Sequence, residues 1–286
     1  MKDSKFYSLL AIFIMYAVAI PVGVIVYKLI PMEFYFKLLF ADIASTIIIF
    51  IFSLITKNAS CYDPYWSIAP IVMVTSLIFY RPINIVRVLL FICVLGWGLR
   101  LTLNWVYTFD NLNWIDWRYR MLKEKTGKFY PVINLLGIHM FPTIVVYLCM
   151  LPVVFAFYND VTLSPLVLIF FLTGGLSFIM QGIADMEMHK FRKEKTGTFI
   201  RDGLWKYSRH PNYLGEIMMW WSMGLLSVFA LGFINYFYLL IGAIVNTLMF
   251  LFVSIPMAEN HQKERKEGFL EYKKQTRMLF PIYKKQ

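Results

Sequence analysis

Hydrophobic positions along this chain fall in eight runs, at about residues 6–30, 34–56, 65–80, 83–106, 138–158, 161–182, 213–232 and 234–255. Several approach or exceed the ~20 residues that cross a hydrocarbon layer as helix. None shows the ten-residue apolar–polar alternation of an outer-membrane barrel strand. Helices pair their own backbone groups inside lipid, so the pattern predicts an all-α, polytopic membrane helical bundle of seven to eight transmembrane helices. The 65–80 run is short and begins at Pro64, which predicts a tilted or partial span. A basic amphipathic stretch over 259–276, beyond Pro256, predicts a C-terminal interfacial helix.

The polar connectors set the orientation. Arg118, Arg120, Lys123, Lys125 and Lys128 follow the fourth run. Lys190, Arg192, Lys193, Lys195, Arg201, Lys206 and Arg209 follow the sixth, and Lys263, Arg265, Lys266, Lys273, Lys274 and Arg277 crowd the tail. The turns at Asn159-Asp160 and around Gly232 carry no basic residue. The positive-inside rule then puts the three basic stretches and the C-terminus on the cytoplasmic side. With eight spans the N-terminus joins them, which leaves Arg81 and Arg87 on the other side. The opening Met1-Lys-Asp-Ser-Lys5 leads into an apolar stretch without a small-residue cleavage site, and reads as a retained first helix. Lys123-Glu-Lys-Thr-Gly127 recurs as Lys193-Glu-Lys-Thr-Gly197; the flanking runs show no matching similarity, so the echo reads as two charged helix ends stopped by glycine.

Composition agrees with this picture and narrows the partners. The 286 residues are 59% hydrophobic and 16% charged, against about 25% charged in soluble domains. The formal charge of +11 gathers in the connectors and tail, which favours anionic headgroups or a phosphate-bearing ligand over nucleic acid. No obligate protein partner is evident. Cys61, Cys93 and Cys149 lie in or beside apolar runs at no metal-like spacing and read as small core residues. No metal site is expected.

Candidate chemistry concentrates where the basic loop meets the seventh run, in Gly203-Leu-Trp-Lys-Tyr-Ser-Arg-His-Pro-Asn-Tyr-Leu-Gly-Glu216. Pro211 suits a first helical position. A helix N-terminus flanked by Lys206, Arg209 and His210 can receive phosphate. Asn212 and Glu216, four apart, share a helix face and offer donors and acceptors for ribose hydroxyls or a carboxamide. Trp205, Tyr207 and Tyr213 with nearby lysines also fit an ordinary interfacial girdle, but the Asn/Glu pair entering the membrane does not. Upstream, Asp185, His189 and Arg192 at i, i+4 and i+7 line one face, forming either a diphosphate clamp or a surface ion pair. Glu259, His261 and Tyr272 in the tail fit a cofactor lid or a membrane anchor. Asp63 beside Tyr65 offers a carboxylate–phenol pair for proton donation to a carbonyl, or simply a helix start. Arg100 either snorkels to the surface or reaches a buried ligand as a substrate-binding residue. His139, alone near a span start, reads as a satisfied interfacial residue. GxGxxG, Walker, GxSxG and HExxH patterns do not occur.

Asp63-Pro-Tyr-Trp-Ser67, Arg100-Leu-Thr-Leu-Asn-Trp105, Asp116-Trp-Arg-Tyr119, the 203–216 run, Ser254-Ile-Pro-Met257 with Glu259, and Glu271-Tyr-Lys-Lys-Gln-Thr276 with Phe280-Pro281 occur in that order. In this the chain resembles the steroid 5α-reductase C-terminal family, in its bacterial, uncharacterised membrane branch. The resemblance covers roughly 60–282. It divides the chain into N-terminal helices without a recognised match (1–60) and a reductase-like membrane domain (61–286).

The resemblance implies an NADPH-dependent oxidoreductase acting on the CH–CH group of a lipophilic enone, such as a 3-oxo-Δ4 steroid or an isoprenoid ketone. It places the protein in a bacterial inner membrane, with the cofactor site facing the cytoplasm. Asp185, Arg192, Asn212 and Glu216 match positions that contact the dinucleotide, joined by Arg209, His210 and Tyr213, and in the tail by Glu259, His261 and Tyr272. Tyr65, oriented by Asp63, is the expected holder of the substrate ketone. A rival reading is an S-adenosylmethionine-dependent isoprenylcysteine or phospholipid methyltransferase, which shares the Arg-His-Pro turn but generally lacks the Asn-Tyr-x-Gly-Glu continuation. A third is a non-catalytic lipid-binding membrane protein.

Overall fold

A computed structural model describes residues 3–79, 82–194 and 198–280. Arg81, the Lys195–Gly197 part of the echo and Pro281 lie outside the described residues. Eight helices build the bundle: α1 (Lys5–Leu29), α2 (Phe34–Thr56), α3 (Tyr65–Leu77), α4 (Ile85–Thr108), α5 (Trp117–Tyr158), α6 (Pro165–Glu194), α7 (Pro211–Leu231) and α8 (Phe233–Arg265). A short α9 (Phe269–Gln275) closes the tail. All but α3 and α9 are long and apolar enough to cross a membrane. The chain is an all-α polytopic bundle, with no strand among the described residues.

Local chemistry sets the helix ends. Asn84 caps α4 by accepting from the Arg87 amide at 3.0 Å, and Asp116 caps α5 through the Arg118 amide at 2.9 Å. Pro211 opens α7 in the first turn, where an amide would have no partner. Gly232, at φ 105°, reverses the chain between α7 and α8 in a conformation that favours glycine. Gly268, at φ 74°, separates α9 from α8. The expected continuous interfacial helix over 259–276 is therefore two pieces, and its first half is the end of the last long helix. Two other helices also outrun their apolar stretches: α5 begins at Trp117 and α6 runs to Glu194. Their polar ends pack against loop and tail, so these helices continue past the hydrophobic signal. Gly127, at φ 50°, changes the helix type within α5 and does not stop it.

Contacts sort the ends into two groups. At one end Lys5 Nζ donates to the Tyr107 carbonyl at 3.1 Å, and Trp117 stacks on His261. At the other, Tyr27 and Tyr158 share a hydroxyl hydrogen bond of 2.8 Å, and the Thr162 amide donates to the Ala230 carbonyl. Consecutive helices thus run antiparallel, with the basic stretches gathered at the first end. Arg87 lies at the opposite end, buried, its guanidinium donating to the carbonyls of Pro82, Ala156 and Asn159. It clamps two loops there, which accounts for a basic residue away from the others.

The shortness of α3 has a cause. Residues 57–64 leave α2 through Lys57 in the left-handed region (φ 59°) and form a largely buried connector with a single 3₁₀ turn, Ala59–Tyr62. Irregular backbone in an apolar bundle needs partners from the protein. Asn58 Nδ2 donates to the Leu112 and Trp114 carbonyls, its Oδ1 accepts from the Ser60 amide, and Tyr16 donates to the Cys61 carbonyl. α3 begins only after this stretch.

The core lies around α7, 72% of whose apolar window is buried, against 28% for α1 and for α2. Small residues allow close approach: a Cβ on Gly215 would collide with Gln181 and the Ser177 carbonyl of α6, whereas one on Gly175 would meet nothing. Gly215→Ala is expected to destabilise the detergent-purified protein by about 1–3 kcal/mol and Gly175→Ala not at all, read from thermal unfolding.

Candidate functional site

The helices α4, α6 and α7 meet at a buried ionic cluster. Arg100 Nη1 donates to Asp185 Oδ2 at 2.8 Å, Nη2 donates to Gln181 Oε1, and Nη2 stands 3.7 Å from Glu216 Oε2. Gln181 and Asp185 are four apart on α6 and so face α4 together. Glu216 is 5% exposed, and its two oxygens accept from the indole N–H groups of Trp97 (2.8 Å) and Trp220 (2.9 Å). The carboxylate is held from both sides. Three buried polar atoms of this neighbourhood have no hydrogen-bond partner: Arg100 Nε, Gln181 Nε2 and Asn212 Oδ1. Two are donors and one is an acceptor. Orphans of this kind are rare in native interiors, and these three leave hydrogen-bonding capacity unmet at the cluster.

Above the cluster the tail is tied to the loop that precedes α7. Glu259 Oε1 accepts from Arg209 Nε and Nη2 (2.8 Å each) and from His210 Nε2 (3.1 Å), and Lys273 Nζ lies 2.6 Å from its other oxygen. Arg209 Nη1 donates to the Thr276 and Lys273 carbonyls. The Arg209 amide donates to the Arg277 carbonyl, and Tyr272 donates to the Trp205 carbonyl at 2.5 Å. Burial pushes the His210 imidazole below its ordinary pKa against the pull of Glu259. All donors of Arg209 named here are spent on protein groups, so it builds this cover and is not free for phosphate. His210 stacks on Tyr213 (ring centroids 5.2 Å apart) and occupies the N-cap position of α7, two residues before Asn212. The tail is thereby joined to the start of the helix that carries Asn212 and Glu216.

The carboxylate–phenol pair read from the sequence separates into two. Asp63 does not orient Tyr65: its Oδ1 accepts from the Tyr119 hydroxyl, with Arg118 Nη2 at 4.0 Å. Tyr65 donates instead to Asp42 Oδ1 at 2.7 Å, on α2. Residues two apart in helical backbone point about 200° from each other, so Asp63 and Tyr65 face different neighbours. Burial pushes the Asp63 carboxyl up to about 7, against the attraction of Arg118.

The remaining expected residues are dispersed. His189 Nε2 donates to Asn104 Oδ1 at 2.7 Å, beside the cluster. Arg192 is exposed at the rim with Lys190 and Lys193. His261 stacks on Trp117 at 3.8 Å, outside the cluster. His139 is not interfacial: it is fully buried in a π-helical segment of α5, with Nδ1 donating to the Asn134 carbonyl. The three cysteines are buried and free. Sequence reasoning missed Asp42, Trp97, Gln181 and Trp220, and gave Tyr119 of the Asp116-Trp-Arg-Tyr119 run no role of its own. Asp42 and Gln181 carried a usable signal, a lone polar side chain inside an apolar run; the indoles carried none.

Fold and site together define a polytopic helical membrane protein with a buried, incompletely satisfied ionic cluster beneath a tail-clamped loop. A family model described as "Protein of unknown function (DUF1295)" matches residues 49–276, and the chain belongs to that family, a family of membrane proteins. Comparison with curated proteins and with solved structures returned no match.

Two measurements probe this region. Arg209→Met removes two donors from the buried Glu259 carboxylate and leaves it to His210 and Lys273, a loss of about 1–3 kcal/mol. Trypsin should then cut after Lys273 markedly faster than in wild type; unchanged protection would exclude the clamp. For Asp63, the folded-state pKa is raised, so between about pH 4 and 7 the folded protein binds more protons than the unfolded chain. Stability should fall as pH rises through this window and level off above it. Asp63→Asn should remove that slope, measured as the thermal midpoint against pH.

Proposed function

We propose that the chain is an NADPH-dependent membrane reductase that saturates the double bond of a lipophilic enone, such as a 3-oxo-Δ4 steroid-like or isoprenoid ketone. The observation that carries this reading is the ionic cluster with its two unpartnered donors and one unpartnered acceptor. A carboxamide or a ribose edge presents both an acceptor and donors, and completes such a set where an apolar lipid would not. Nicotinamide dinucleotide, when bound, supplies the hydride that the reduction needs.

In this reading the chain's own groups divide the work. Asn212 Oδ1 accepts from the ligand, and Gln181 Nε2 and Arg100 Nε donate to it. Trp97 and Trp220 hold Glu216 still, so the polar wall is preorganised. Arg192, with Lys190 and Lys193 around it, offers the exposed positive rim for phosphates. Arg209, Glu259 and Lys273 keep the cover closed and exclude water. Tyr119 Oη donates a proton to the substrate oxygen as charge develops there, a neutral Asp63 carboxyl resupplies the phenol, and the enol so formed gives up its O–H proton and takes one at the α-carbon to reach the saturated ketone. Tyr65 faces α2, and the proposal passes its expected role to Tyr119. By the distribution of basic residues, the cofactor side faces the cytoplasm.

Binding of NADPH and of S-adenosylmethionine to detergent-purified protein separates the readings. Wild type should bind NADPH, and Asn212→Ala or Glu216→Ala should weaken it at least about tenfold, equivalent to one hydrogen bond to a polar ligand. Binding of S-adenosylmethionine alone would overturn the proposal in favour of a lipid methyltransferase. Binding of neither would favour a non-catalytic lipid-binding protein.

A further inference from the structure

The three N-terminal helices enclose a second feature that the proposed reduction does not use. A cavity of about 150 Å³ lies between α1, α2 and α3. Small and apolar residues line it, among them Gly23, Ala41, Ala69 and Met73, and its mouth reaches Lys28 and Ser76 towards the end away from the basic loops. Asp42, 5% exposed, also lines it. Among the described residues Tyr65 is the sole side-chain donor to that carboxylate.

This space is separate from the ionic cluster, because α3 stands between them. Tyr65, Ala69 and Met73 face the cavity, while Ser67 bonds Thr102 of α4 at 2.8 Å and Ile71 packs on Gly98. Asp42 also precedes residues 49–276, the part of the chain that the family model matches.

A carboxylate inside an apolar bundle is costly and usually has a task. Ionised, it offers about four acceptor positions, of which one phenol fills one. What remains is mainly acceptor capacity, which a hydroxyl on the guest would fill. The void is of the size that holds a benzene-sized molecule, about half the ~300 Å³ at which drug-sized ligand pockets begin. It has no room for a four-ring body. Lys28 at the mouth disfavours an ammonium head. We infer that this cavity binds a slender, neutral membrane amphiphile, single-chain or single-ring, whose hydroxyl donates to Asp42 and whose apolar part fills the space between α1, α2 and α3.

The test is photolabelling of the full chain in membranes with a hydroxyl-terminated alkyl diazirine, with adducts mapped by mass spectrometry. Adducts should concentrate on cavity-lining segments of α1, α2 and α3, and n-decanol should compete where n-decane does not. Ala69→Leu, which fills the void, should abolish the focused labelling. Asp42→Asn should weaken decanol competition about tenfold, and Ser76→Leu at the mouth should reduce labelling if Ala69→Leu fails to fold. Labelling spread evenly over lipid-facing helices, unchanged by Ala69→Leu or Ser76→Leu, would overturn the inference. Equal competition by n-decane would overturn the role of the hydroxyl. NADPH binding measured on the same samples keeps the two proposals apart, since either can fail alone.

Discussion

A charged side chain inside an apolar bundle must find its partners within the protein, and Arg100 is where that demand ties three helices together. Its guanidinium reaches Asp185, Gln181 and Glu216 on two other helices. Hydrophobic packing alone does not fix how three apolar helices slide past one another, since lipid is as apolar as their side chains. Directional bonds from one guanidinium and two indoles do. The register of α4, α6 and α7 thus follows from the cluster, and so does the depth at which Asn212 and Glu216 sit. Gly215 lets α6 and α7 approach closely enough for those bonds to form.

The same demand explains the end of the molecule above the cluster. The loop before α7 and the tail carry many cations, and alone they would repel each other. Glu259 gathers Arg209, His210 and Lys273 onto one carboxylate, and backbone bonds from Arg209 and Tyr272 extend the contact. His210 belongs to this knot and is also the N-cap of α7, six residues before Glu216. A disturbance in the tail is therefore felt at the helix end that presents the unpartnered Asn212 oxygen. At the far end, Arg87 does comparable work with backbone carbonyls.

The two carboxylate–phenol pairs show how one helix divides the interior. Asp63 with Tyr119 belongs to the connector and α5, whereas Asp42 with Tyr65 belongs to the N-terminal helices. α3 turns one face to each neighbourhood. The buried connector before it makes this possible, because it delivers the chain to the middle of the bundle already satisfied by Asn58 and its partners.

The amino-acid order by itself determined that the chain is a helical membrane bundle, because the length of an apolar run and the need to pair backbone groups leave no other solution. It also marked the 203–216 run, where a polar face enters an apolar segment, and the short third helix after Pro64. It could not say which helices touch. The apolar runs show little preference for one face, so nothing in their letters told that Arg100 meets α6 and α7, or that Asp63 takes Tyr119 and leaves Tyr65 to Asp42. Arg209 read as a free phosphate ligand because its neighbours in sequence are cations and its partner lies fifty positions away. Those pairings are decided by three-dimensional proximity between segments distant in the chain, and a directional bond exists only once both ends are in place.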